Sequence, residues 1–373
     1  MSQIVRFRRS PSLLNPLLQI YSSHVQRNTG SLTIAEKIHQ SFAYSVKIKV
    51  CNRFTKRPSI LRPWFLRYIP KGGHEIEINY VDTMPDAHKY ESVNTILILH
   101  GTPGSYYDYF KLLVTFGEKN RIIIPNFPDF NYTIKNDCFW HSAEEKSEFI
   151  MDFLKHLNVK NIDCLVAHSM AAYTASYLWI YAGLEDYFKL GSVCLLSPVG
   201  MYKFRRRHKI KLKLITNMCR SRLLSKLLPA RLMNFYTLTP KGPSSTNFEL
   251  SAWRALTLGL SNYEKYTLRL KMLAFKRIPT IVTFSSNDKL YSPNMYFDQL
   301  FELDINYDDY DIYEQYENEL IQSSTDRSWI KAIDFRSAGH YMFNTHPDII
   351  HSYIHELIER AHTVYLPKSE ARN

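Results

Sequence analysis

Six short apolar runs, separated by stretches long enough for helices, limit what this chain can fold into. They lie at 95–99, 121–125, 162–167, 192–196, 279–284 and 330–335. Each is five or six residues long and rich in Ile, Leu, Val or Phe, the pattern of a strand buried on both faces. Helical stretches are predicted near 106–116, 142–157, 170–184 and 293–303, with a last one at 347–362. This alternation predicts an α/β fold: a mostly parallel central sheet flanked by helices. Glu75 to Val81 alternates like a half-exposed strand ahead of the series.

Polar residues follow several of these runs. The ends of strands in an open parallel sheet share one edge, where ligands bind. His100-Gly101-Thr102-Pro103-Gly104 follows the first run, and Ala167-His168-Ser169-Met170-Ala171 spans the end of the third. Ser285-Ser286-Asn287-Asp288 follows the fifth, and Arg336-Ser337-Ala338-Gly339-His340 the sixth. A serine between an apolar run and a helix-forming run, with small residues two before and two after, is the pattern of a nucleophile elbow. Alanine stands at both flanks, where glycine is usual, and a methyl group there could widen the elbow or tilt its helix. Plainer roles compete with the catalytic ones. A serine opening a helix is often an N-cap, and Asp288 could cap the helix after Ser292-Pro293. His100 and Gly101 suit loop shaping, and His168 suits packing.

Together, His100-Gly101-Thr102-Pro103-Gly104, Ala167-His168-Ser169-Met170-Ala171, Ser286-Asn287-Asp288 and Gly339-His340, with Thr345-His346-Pro347-Asp348 beyond, resemble the α/β-hydrolase superfamily over about Ile76 to Leu357. Arg121 to Phe130 is similar to the family's fourth strand and following loop. The resemblance implies a triad in the order Ser169, Asp288, His340. His340 would take the serine proton and return it to the leaving group, while Asp288 fixes the imidazole tautomer. The backbone N–H groups of Thr102 and Met170 would form the oxyanion hole, with His100, Gly101, Pro103 and Gly104 shaping the loop. The serine separates the chain from relatives with aspartate at the elbow, such as haloalkane dehalogenases.

A chain of 373 residues, 45% apolar and 22% charged, can bury a large core and is not a disordered composition. Its five cysteines (51, 138, 164, 194, 219) include no C-x-x-C pair, so reduced thiols and no metal or cofactor are expected. No run of about 18 apolar residues suggests a transmembrane helix. Residues 1–35 carry Arg6, Arg8, Arg9 and Arg27 and no acid, which suits a mitochondrial transit peptide or a mobile basic tail in an intracellular protein. Residues 36–72 read as an accessory segment, 73–199 and 276–362 as the two parts of the hydrolase core, and 363–373 as a tail.

Two charge blocks break the scheme. Tyr187 through Phe248 holds 13 Lys or Arg and no acid, so the rest of this +12 chain sums to −1. Residues 200–275 are therefore expected to form a basic helical lid, whose Arg205, Arg206 and Arg207 would attract anionic membrane lipids or acidic acyl substrates, or else form a solvated face. Charge alone does not indicate nucleic acid, because no recognition fold accompanies it. Leu290 to Asp326 holds ten acids and no Lys or Arg, with tyrosines interleaved at 291, 296, 307, 310, 313 and 316. Residues 304–328 read as an acidic insertion, docked on the lid or solvated. The expected function is a serine hydrolase acting on an ester, thioester or related bond of a hydrophobic acyl substrate. The alternatives are a catalytically silent binding protein on the same fold and a peripheral lipid-surface protein.

Overall fold

The computed structural model describes residues 4–6, 41–50, 73–87, 93–102, 104–128, 142–184, 188–200, 263–306, 309–314, 319–325 and 329–364. In chain order the elements are β1 (Ile4–Arg6), β2 (Ala43–Val50), β3 (His74–Asp82), β4 (Thr95–Leu99), α1 (Phe110–Phe116), β5 (Arg121–Pro125), α2 (Ala143–His156), β6 (Asn161–His168), α3 (Ala171–Tyr181) and β7 (Lys189–Leu196). They continue as α4 (Tyr263–Lys276), β8 (Thr280–Phe284), α5 (Pro293–Glu302), β9 (Asp311–Tyr313), β10 (Leu320–Gln322), β11 (Ile330–Phe335), α6 (Met342–Thr345) and α7 (Pro347–Val364). A 3₁₀ turn over Tyr106–Tyr109 leads into α1.

The described strands form one sheet in the order β1-β2-β3-β5-β4-β6-β7-β8-β11-β9-β10. From β5 to β9 every neighbouring pair is parallel; β2, β3 and β5 pair antiparallel at one side and β10 at the other. This is the mostly parallel, helix-flanked sheet that the strand–helix alternation predicts, and the fold that the resemblance to α/β-hydrolases implies. The continuous apolar runs arise because both faces are covered. Leu97, Leu99, Leu165, Val193 and Leu195 enter one core with α2, α3 and α4. Their alternate neighbours Ile96, Ile98, Cys164, Val166 and Cys194 enter a second core with α1 and α7. Helix α3 is the most deeply set. Tyr173 and Trp179 are buried on it, and the Trp179 indole donates to the Arg269 carbonyl of α4 at 3.0 Å.

The described part of the acidic insertion contains two short strands. Strand β9 joins the sheet beside β11, and β10 folds back on it. Asp311 is buried there, where it accepts from the Ser324 amide at 2.7 Å and meets Lys331 at 3.2 Å. At the other side of the sheet, Asp82 of β3 and Arg121 of β5 make a buried bidentate pair, with Arg121 Nη2 2.7 Å from Asp82 Oδ2. The lid segment with Arg205, Arg206 and Arg207 lies outside the described residues except for α4 and Gly200. The transit segment, the 36–72 accessory segment and the 363–373 tail also lie outside them, apart from β1, residues 41–50 and the last two residues of α7, 363 and 364. No helix among the described residues is long and apolar enough to cross a membrane.

The Asp82–Arg121 pair gives a stability prediction. Replacing Asp82 with Ala leaves a buried guanidinium without its carboxylate, at a cost of about 3–5 kcal/mol. Urea unfolding of Asp82→Ala measures this loss, and a change under about 0.5 kcal/mol would contradict the pair's role.

Candidate active site

Ser169 sits one residue beyond β6 with φ of 55°, in the left-handed region that non-glycine residues rarely occupy. The turn is tied on both sides. The Ser169 N–H donates to the Leu196 carbonyl at 2.9 Å, and its own carbonyl accepts from Ala172 and Val199 at 3.1 and 3.2 Å. Ala167 and Ala171 are both buried, so the elbow forms with a methyl group at each flank. Gly101 packs against it. A Cβ there would lie 3.0 Å from His168 Nδ1 and 3.2 Å from Ser169 Cβ.

The three residues expected to form a triad meet. Ser169 Oγ is 2.9 Å from His340 Nε2, and His340 Nδ1 is 2.7 Å from Asp288 Oδ2. The Nδ1–H donates to the carboxylate, which leaves the Nε2 lone pair facing the serine hydroxyl. All three side chains are buried, with residue exposures of 4% for Ser169 and 8% for Asp288 and His340. Asp288 does not cap α5: the cap position is Ser292, which makes no side-chain cap bond. The carboxylate instead accepts from the Leu290 and Tyr291 amides through Oδ1 at 2.7 and 3.4 Å. Burial pushes its acidity down, but bonds from His340, Tyr296 and Leu290 outweigh burial and hold its pKa below the usual carboxylate value.

Two other histidines hold the loops. His100 Nδ1 donates to the Gly101 carbonyl at 2.8 Å, and its Nε2 accepts the Phe127 N–H at 3.0 Å. That pair of bonds fixes the tautomer and joins the loop after β4 to the one after β5, in keeping with the loop-shaping role. Burial drives the His100 pKa down to about 3. Gly104 serves the same loop, since a Cβ there would lie 2.9 Å from the Gly101 carbonyl oxygen. Pro103 lies outside the described residues. His168 does more than pack: its Nε2 donates to the His340 carbonyl at 3.2 Å, linking the elbow to the base loop. Burial and the nearby His340 imidazole hold it neutral, well below its usual pKa. Thr102 lies within this loop, and Met170 occupies the N-cap position of α3 at the elbow.

The sequence pattern counts Tyr296 among the tyrosines of the acidic block. In the structure its hydroxyl donates to Asp288 Oδ2, the oxygen that also accepts from His340. The signal available in sequence is its spacing: it lies one helical turn inside α5, eight residues after Asp288. Ser285, which opens the run to Asp288, has a role the sequence did not show. Its hydroxyl accepts the Gly339 N–H at 3.1 Å and so ties the Asp288 loop to the His340 loop.

Two predictions follow from this packing. Gly101→Ala pushes a methyl group against both Ser169 and His168, and should slow labelling of Ser169 by a fluorophosphonate at least ~10-fold through displacement of its hydroxyl from His340. Unchanged labelling kinetics would contradict the close approach. The second concerns pH. An unfolded histidine titrates near ~6.5, whereas folded His100 and buried His351 of α7 titrate at about 3 and about 4. Their folded pKa values are depressed, so their stabilisation is complete above the unfolded value and is lost as pH falls from there toward the folded values. At about pH 5 each of these two groups costs about 2 kcal/mol, with His168 adding in the same direction. Thermal melts at about pH 7.5 and 5 should show a marked drop, and equal melting temperatures would contradict it.

Comparisons with known proteins bear on the family and the fold. A family model described as an alpha/beta hydrolase of unknown function (DUF1057) matches residues 70–359. A thermophilic esterase from Thermogutta terrifontis is 15% identical with a TM-score of 0.55, over 85% of this chain and 99% of its own. An esterase from Exiguobacterium antarcticum is 11% identical with a TM-score of 0.50, over 79% and 98%. The haloalkane dehalogenase DbeA from Bradyrhizobium elkani is 14% identical with a TM-score of 0.52, over 77% and 96%. No curated protein sequence matches the chain. With most of its length covered by that family model, the chain belongs to the α/β-hydrolase family of unknown function.

Proposed function

We propose that the protein is a serine hydrolase that cleaves an ester, thioester or related acyl bond through an acyl-enzyme. The observation that carries this reading is the continuous line of hydrogen bonds from Ser169 Oγ to His340 to Asp288. The chain has serine at the elbow, where a dehalogenase-like reaction uses aspartate. An unassisted hydroxyl is a poor nucleophile at neutral pH, and a base within 2.9 Å removes that limit.

Attack by Oγ on the carbonyl carbon transfers the serine proton to His340 Nε2 and forms a tetrahedral oxyanion. Asp288, kept ionised, stabilises the resulting imidazolium and holds its orientation. The N–H groups of Met170 and Thr102 would receive the oxyanion, each such donor contributing roughly 3 kcal/mol. Met170 is suited to this by its place at the first turn of α3, where backbone N–H groups and the helix dipole favour negative charge. Collapse expels the leaving group with the proton from His340. Water, activated by the same imidazole, then releases the acid. Tyr291 and Tyr341 pack 5.3 and 5.5 Å from the His340 ring and favour an apolar acyl group.

Labelling with a fluorophosphonate tests the reading. One serine should be modified in the native protein and none in Ser169→Ala. Hydrolysis of p-nitrophenyl butyrate should fall at least ~1,000-fold in Ser169→Ala and in His340→Ala, by less in Asp288→Ala, and no further in the double variants. Labelling that survives in Ser169→Ala would sink the assignment.

A further inference from the structure

We propose that Tyr296 is a positioning residue that sets how tightly His340 holds its proton, acting through the carboxylate they share. The inference rests on the hydrolase reading of the same site and deepens it. Asp288 Oδ2 accepts two hydrogen bonds, one from His340 Nδ1 at 2.7 Å and one from the Tyr296 hydroxyl. Negative charge donated to a phenol is charge withheld from the imidazole. The phenol therefore weakens the hold of Asp288 on the imidazolium.

The arrangement is built, not incidental. Tyr296 is fully buried, and its ring stacks on Phe284 at 5.3 Å. Phe284 is the last residue of β8, the strand that delivers Asp288, so one strand end fixes both the acid and its second donor. Burial and the Asp288 charge raise the phenol pKa well above its ordinary value, so it stays a donor throughout the working range. The groups facing the imidazole are Ser169, Asp288, His168 at 4.9 Å, Tyr291 at 5.3 Å and Tyr341 at 5.5 Å. Those facing the phenol are Asp288, Ser197 and Tyr291. His168 is held neutral, and the Leu290 and Tyr291 amides bond the other carboxylate oxygen, so the Tyr296 hydroxyl is the side chain that competes with His340 for Oδ2.

The test measures the rate of fluorophosphonate labelling against pH. In Tyr296→Phe the ring packing is kept, the Asp288 charge concentrates on His340, and the acidic limb of the profile should move up by about half a pH unit. Replacing Tyr296 with 3,5-difluorotyrosine, a stronger donor, should move the limb down. Tyr266→Phe is the control. It removes another buried hydroxyl that bonds to Gln299 of α5 at 2.9 Å but not to Asp288, and its limb should stay in place. A purely structural role would lower the rate at every pH and leave the limb unmoved. The His340 ring can also be titrated by NMR, which reads the same proton affinity without any reaction. A wild type that cannot be labelled would fail the hydrolase reading, and the NMR titration would still decide the role of Tyr296. Folded Tyr296→Phe with an unmoved His340 titration would overturn the proposal.

Discussion

The site depends on one strained residue held in place by a sheet. Ser169 takes a left-handed backbone conformation that costs on the order of 1–2 kcal/mol for a residue with a Cβ. It persists because its N–H is pinned to Leu196 of the next strand while its carbonyl is shared by Ala172 and Val199. The turn lifts the hydroxyl off the edge of the sheet toward His340. A relaxed helix start at this position would point the same side chain back along α3.

Around that turn the protein places neutral imidazoles where charges would be costly. His100 and His168 spend both their burial and their hydrogen bonds on joining loops: β4 to β5 in one case, elbow to base loop in the other. Asp288 is the opposite case. Its burial disfavours ionisation, and donors on both oxygens reverse that effect. A charged acid next to uncharged rings confines the electrostatics of the site to one axis, from Tyr296 through Asp288 and His340 to Ser169.

Much of the fold was legible because strands buried on both faces produce unbroken apolar runs. The runs at 95–99 and 121–125 coincide with β4 and β5, and the helix expected at 293–303 with α5. The acidic insertion was harder. Its strands β9 and β10 are three residues each, too short for alternation to register, and β9 is set by pairing with β11. Tyr296 was hidden for a related reason. Helical tyrosines in an acidic stretch look like surface, and only the path of the chain after β8 turns this one toward Asp288. His168 was read as packing because nothing in a pentapeptide shows that a residue 172 positions away will present its carbonyl.

The sequence alone determined the alternation of the longer strands and helices, the small residues flanking Ser169, and the candidates Ser169, Asp288 and His340, because these follow from local periodicity and from which residue types can do the chemistry. The tertiary structure decided which hydrogen bonds those side chains make, which histidines remain neutral, and that Tyr296 and His340 share an oxygen of Asp288. Those properties come from distances and burial between segments far apart in the chain, which only the twist and stacking of the sheet bring together.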